Sequence, residues 1–254
     1  EADQGARREP VKPRGARGWR PVIALLVITC VVCTGATLWL TSLTSPDLPK
    51  FDEWQVFVPA LTGAEPITAE WMWRQLNEHR IPLPRLVYLS GFLLTKDFRV
   101  GAFLNVAILS GVAIAAITTA VRKRGHARAA DAFFPLILLH WGQTHLYLLS
   151  VTLNFTMTIA FAYLAVFAAL APEAGNRLRT GWVVGLCALG MVLSSLIGVL
   201  MALPFAAWLV VQAWFRIRGD AVRRRDGWLL IGLAGLVLAA VALYFVGFQL
   251  PGSA

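Results

Sequence analysis

An all-α bundle of about seven membrane-spanning helices is the fold the sequence predicts, and three observations predict it. Hydrophobic residues fill 57% of 254 positions against 37 charged ones, a supply that matches the roughly 140 apolar positions seven spans would use. Apolar runs of spanning length recur from 21 to 250 with short interruptions. The 23 Lys and Arg residues gather between those runs, so a net charge of +9 reads as membrane topology, and no nucleic-acid partner is expected.

The elements follow in order. Residues 1–20 form a basic tail containing Arg7, Arg8, Lys12, Arg14, Arg17 and Arg20. The run Pro21 to Leu43 is longer than the 7 to 15 residues of a signal-peptide core and ends without an Ala-x-Ala site, so it reads as a retained first span. Further runs lie at about 98–121, 132–149, 152–171, 180–196, 199–215 and 228–248. With the amino terminus placed in the cytoplasm, 17 Lys/Arg fall in inside segments and six outside, as the positive-inside rule requires. The expected setting is a bacterial inner membrane. Residues 21–250 form one module, and a chain that opens on Glu1 and stops just after an apolar run is expected to be part of a longer one. Cys30 and Cys33 sit inside the first run with no second pair, which suits buried thiols rather than metal ligands.

The stretch 44–97 is the long outer segment and holds seven of the 14 acidic residues. A loop of that length is expected to fold and to carry function. Pro66 followed by Ile67 to Asn77 predicts a short interfacial helix capped by Thr68, with Trp71 and Trp73 at the membrane surface. After Pro82 and Pro84, the apolar segment Leu86 to Thr95 is too short to span. It predicts a second interfacial or re-entrant helix.

Four groups of residues invite chemistry. Asp52 and Glu53 are adjacent carboxylates beside aromatic neighbours, which suits a general base or a divalent-cation ligand, most directly at Asp52; a solvated turn is the plainer alternative. His79, Arg80 and Arg85 surround a proline-defined turn. Guanidinium groups there suit a phosphate, and lipid headgroups or helix capping would use them equally well. His140, Gln143, His145 and Tyr147 place polar atoms along the third run, where polar side chains face cavities or bond neighbouring helices. Ser194 and Ser195 mark a turn between the fifth and sixth runs that either lines a site or simply turns the chain. Arg80, Arg85 and His145 are expected to meet in one cavity with Asp52 at its edge.

In chain order these features are a first span, an outer Asp-Glu pair, the stretch His79-Arg80-Ile81-Pro82-Leu83-Pro84, and Phe98-Arg99-Val100-Gly101-Ala102-Phe103 leading into the second span. Together they resemble the amino-terminal part of the GT-C membrane glycosyltransferases, the group containing protein O-mannosyltransferases and the lipid A aminoarabinose transferase. The resemblance covers residues 19 to 250 and implies a seven-helix module. It implies Asp52 and Glu53 at the catalytic centre; the donor is expected to be a polyprenyl-phosphate sugar, and His79, Arg80, Arg85 and His145, among the few cationic or protonatable groups expected outside, are expected to hold its phosphate. Gln143, Tyr147, Ser194 and Ser195 would line the cavity. Two departures stand out: two residues separate His79 from the first proline, and Ser194 and Ser195 occupy the turn where a lysine is expected. The competing expectations are a transporter or lipid flippase, and a non-catalytic relative that scaffolds envelope assembly.

Overall fold

A computed structural model describes residues 19–170 and 177–249. The basic tail before residue 19 lies outside the described residues. Helix α1 (Arg20–Thr44) opens with Pro21 in its first turn, where a missing N–H costs nothing. The segment 44–97 follows as α2 (Glu53–Val56), α3 (Val58–Leu61), α4 (Ala69–Trp73), the hairpin β1 (Gln75–Leu76) and β2 (His79–Arg80), and α5 (Pro82–Thr95). Then come α6 (Val100–Arg124), the short helices α7 (Phe133–Leu138) and α8 (Thr144–Leu148), α9 (Leu153–Leu170), α10 (Arg177–Val192), α11 (Leu196–Ile217) and α12 (Ala221–Phe245). Helices α1, α6, α9, α11 and α12 are long and apolar enough to cross a membrane, and α10 is a shorter apolar helix. The chain is an all-α bundle with the character of a multi-pass membrane protein.

The core of the bundle is built from small side chains. Ala162, Ala165, Ala188, Ala202 and Ala206 are buried together with Met191, Val192 and Tyr244, and small residues let helix backbones approach closely where lipid offers no hydrophobic drive. Gly181 and Gly185 of α10 receive Leu230 and Leu233 of α12. The Gly-x-x-x-Gly spacing thus marks a real helix contact.

The run 132–149 is not one helix. Leu139 and His140 leave helical geometry, a tight turn covers Trp141–Gln143, and α7 and α8 flank it. Gly142 and the polar residues around it weaken helix propensity there, and side chains take over the main-chain bonding. The Tyr147 hydroxyl donates to the Leu138 carbonyl at 2.8 Å and the Thr37 hydroxyl to the Leu139 carbonyl at 3.3 Å. Apolar surroundings demand such replacements, because an unpaired carbonyl there costs several kcal/mol, on the order of a lost hydrogen bond or more. Asp131 pairs with Arg124 at the far end of α6, while Ser150 packs on Gly101 at its start. The broken segment therefore runs the full length of α6.

The outer segment also differs in detail. The helix expected over 67–77 is only α4, capped by the Thr68 hydroxyl as expected, with the Trp71 N–H donating at 3.1 Å. The rest is the hairpin, turned at Asn77 with φ of +47°, a conformation Asn tolerates better than most residues. Helix α5 has 14 residues, about 21 Å at 1.5 Å per residue, which is short of a bilayer core.

Candidate functional site: the cap over one end of the bundle

The segment 44–97 folds as a cap whose contacts reach the ends of α6, α9, α10, α11 and α12. Its anchor on the first side is Glu53, 2% exposed. One carboxylate oxygen accepts from the Lys50 N–H at 2.9 Å and the other from the Ser150 N–H, with the Val151 N–H contributing. Burial pushes this carboxyl up from its usual range, and the amide donors oppose that shift. Glu53 thus fastens the α1–α2 turn to the joint between α8 and α9. Asp52, beside it, is only half-buried and does not cap α2. Among the described residues its carboxylate accepts one hydrogen bond, a long contact of 3.4 Å from the Asn77 side chain. The acidic pair splits into an anchored member and a presented one.

Lys50 lies next to this anchor. Its ammonium reaches the Thr44 carbonyl at 3.3 Å, the Ser45 hydroxyl at 3.4 Å and the Leu148 carbonyl at 3.5 Å. With Glu53, Arg99 and Ser150 it lines a small cleft open to solvent.

The hairpin anchors the second side. His79 Nδ1 accepts from the Leu196 N–H at 3.3 Å, its Nε2 stands 3.4 Å from Glu78, and its ring meets Phe155 edge-on. Burial lowers its pKa against the smaller opposing pull of Glu78. Arg80 gives its guanidinium to the carbonyls of Tyr244, Trp73 and Val246 at 2.8 to 3.0 Å, while its main-chain N–H donates to the Tyr244 hydroxyl at 2.8 Å. Arg85, 1% exposed, donates to the carbonyls of Trp71, Met72 and Arg74 and lies over the Trp71 ring. Desolvation draws its pKa down to about 10.

These contacts bring His79 to the Ser194–Ser195 turn, and they do not bring Arg80, Arg85 and His145 together. Both arginines close off the carbonyl ends of helices α12 and α4, the capping alternative, because C-terminal carbonyls attract cations. His145 is exposed on α8, and no hydrogen bond or ion pair joins it to either arginine among the described residues. Gln143 bonds His140 at 3.0 Å across the break in the third run, and Tyr147 is buried with its hydroxyl spent on the main chain. Ser194 donates to the Gly190 carbonyl, while Ser195 shares a hydrogen bond with Thr158 and caps α11. All four support the fold of the cap and its floor. Among the described residues no group of three or more His, Cys, Asp or Glu side chains is placed to share one ion.

Sequence reading passed over three residues of this region. Asn105, fully buried in α6, donates to the carbonyls of Leu146 and Leu149 and to Thr152. A lone Asn inside an apolar run was the available signal. Tyr244, likewise a single polar atom in an apolar run, receives the hairpin. Lys50 had no signal beyond its place beside the acidic pair. No family model, no curated protein and no solved structure matches the chain.

Proposed function

We propose that this chain is a membrane module of a glycosyltransferase that moves a sugar from a polyprenyl-phosphate carrier to an acceptor on the extracytoplasmic face. In this reading the chain crosses the membrane seven times, six times as a helix and once as the broken segment 129–150, with its amino terminus in the cytoplasm. The observation that carries the proposal is the presentation of Asp52. Its carboxylate stands half-exposed at the rim of a folded cap, bound only weakly, while its neighbour Glu53 holds the backbone beneath it. Asp52 takes the proton of the acceptor hydroxyl, whose oxygen attacks the anomeric carbon as the bond to the carrier phosphate breaks. The departing phosphate needs a cation. Arg80 has committed its guanidinium to carbonyls, and Arg85 is 1% exposed with its Nη1 held by three carbonyls, which leaves Lys50, with no carboxylate partner among the described residues, as the nearest candidate in sequence.

The second reading is a transporter or flippase, and the broken third run favours it, since discontinuous helices are a feature of transport proteins. One experiment separates the two. The full-length protein in vesicles is given a radiolabelled polyprenyl-phosphate sugar, and release of sugar to acceptor is followed for the native chain and Asp52→Asn. The glycosyltransferase reading expects transfer that falls about 10² to 10⁴-fold in the variant, the usual cost of a lost general base. Equal transfer by both chains removes Asp52 from the chemistry. Movement of the lipid across the bilayer without transfer supports the second reading.

A further inference from the structure

The end of the bundle opposite the cap is strongly basic. Twelve of the described Lys and Arg residues lie there with three acids, against six with seven acids at the cap end. The three acids are spoken for: Asp131 by Arg124, Asp226 by Arg216 at 3.0 Å, and Asp220 by Arg223 at 3.7 Å. Arg218, Arg224 and Arg225, on the hairpin joining α11 to α12, are exposed and make no ion pair among the described residues. Their setting is repeated on the two helices. On α11, Trp214 is 54% exposed and the Arg218 guanidinium lies over its ring at 4.1 Å. On α12, Trp228 is 60% exposed and follows Arg224 by four residues, the spacing of neighbours on one helical face. Each helix therefore shows an indole toward the middle of the bundle and a guanidinium one turn nearer its end.

We propose that this hairpin is a binding site for the headgroup of an anionic phospholipid. An indole settles at the level where acyl chains meet headgroups, and one helical turn places a guanidinium about 5 Å further out, at the level of the phosphates. Guanidinium groups bind phosphate oxygens through paired N–H donors, and the net positive charge around them favours a headgroup of net negative charge over a zwitterionic one. Topology alone would require only positive charge at this end; it would not require Arg218 and Arg224, on the two sides of one hairpin, each to stand one turn beyond an exposed indole.

The test uses the whole chain purified in detergent, with lipid retention read by native mass spectrometry against mixed phosphatidylglycerol and phosphatidylcholine. The native chain is expected to retain phosphatidylglycerol selectively. Neutralising the site in the triple variant Arg218→Gln, Arg224→Gln, Arg225→Gln should lower that preference by about 5-fold per arginine, the worth of one basic residue near an anionic surface. The triple variant Arg122→Gln, Lys123→Gln, Arg128→Gln removes the same charge from the same end, at positions with no exposed indole one turn away, and should keep the retained lipid. Equal losses in the two triples would show a diffuse field and overturn the proposal, as would a native chain with no preference or one that exchanges the lipid for RNA. Should the site triple fail to fold, Trp214→Leu with Trp228→Leu keeps every charge and is expected to weaken retention several-fold. Unchanged retention there would overturn the paired design.

Discussion

At the scale of single residues, the cap depends on protonation. His79 holds its neutral form because Nδ1 must accept the Leu196 N–H in a buried place. Its pKa is lowered on folding, so its contribution to stability is present above the ordinary value of 6.5 and is lost as pH falls through the lowered folded value. Replacement by Asn keeps an acceptor where Nδ1 stands and does not titrate. The difference in thermal midpoint between the native chain and His79→Asn, measured in detergent, should therefore move in favour of the variant as pH drops below 6.5. A constant difference from pH 7.5 to 5 would contradict the role given to His79. Glu53 acts in the opposite sense: its raised pKa gives stability that is greatest below 4.5 and declines as pH rises through its folded value. The two effects run in opposite directions with pH, so the single variants separate them.

At the scale of elements, the two weakest-looking joints are the ones most tightly specified. Gly198 begins α11 against the turn from α10, and a Cβ there would stand 1.9 Å from the Met191 carbonyl oxygen. That atom is backbone and cannot swing away. Gly198→Ala should cost about 3 kcal/mol or more, at the upper end for a forced clash, and show as loss of folded protein in size-exclusion profiles. The broken third run has the converse design, with a hydroxyl replacing missing helix bonds. Tyr147→Phe leaves the Leu138 carbonyl without its donor and should cost about 1 to 3 kcal/mol, read as a lower midpoint of thermal unfolding. Sequence pattern reveals such joints unevenly. The long helices, the short α5 and the Thr68 cap were legible because length, apolar content and capping chemistry are local. The break at His140 was not, because run length and hydropathy do not report that Tyr147 and Thr37 stand ready to satisfy freed carbonyls. The hairpin was hidden for the same reason. Arg80 reads as a free cation until Tyr244 and Val246 of a remote helix are placed beside it, and Asp52 and Glu53 read alike until burial separates them.

At the scale of the whole molecule, the six-to-seven balance of basic and acidic residues at the cap and the twelve-to-three excess at the other end favour an amino terminus in the cytoplasm. Single cysteines introduced at Gly125 and at Leu48, in a chain whose own three cysteines are replaced, should therefore label from opposite sides of intact cells, Leu48 from outside. Labelling of both from one side would require α6 to return to its own starting face and would rule out the proposed crossings. The same arrangement has a consequence in time. The hairpin residue Arg80 bonds a tyrosine made 164 residues later and a valine made 166 residues later. At about 5 to 20 residues per second of synthesis, its donors wait on the order of 8 to 33 seconds for their acceptors. During that interval the hairpin stays unlatched from the last helix. Closure of the cap thus reports that the last helix has arrived, and a chain that stops before Tyr244 leaves the donors of Arg80 without their acceptors.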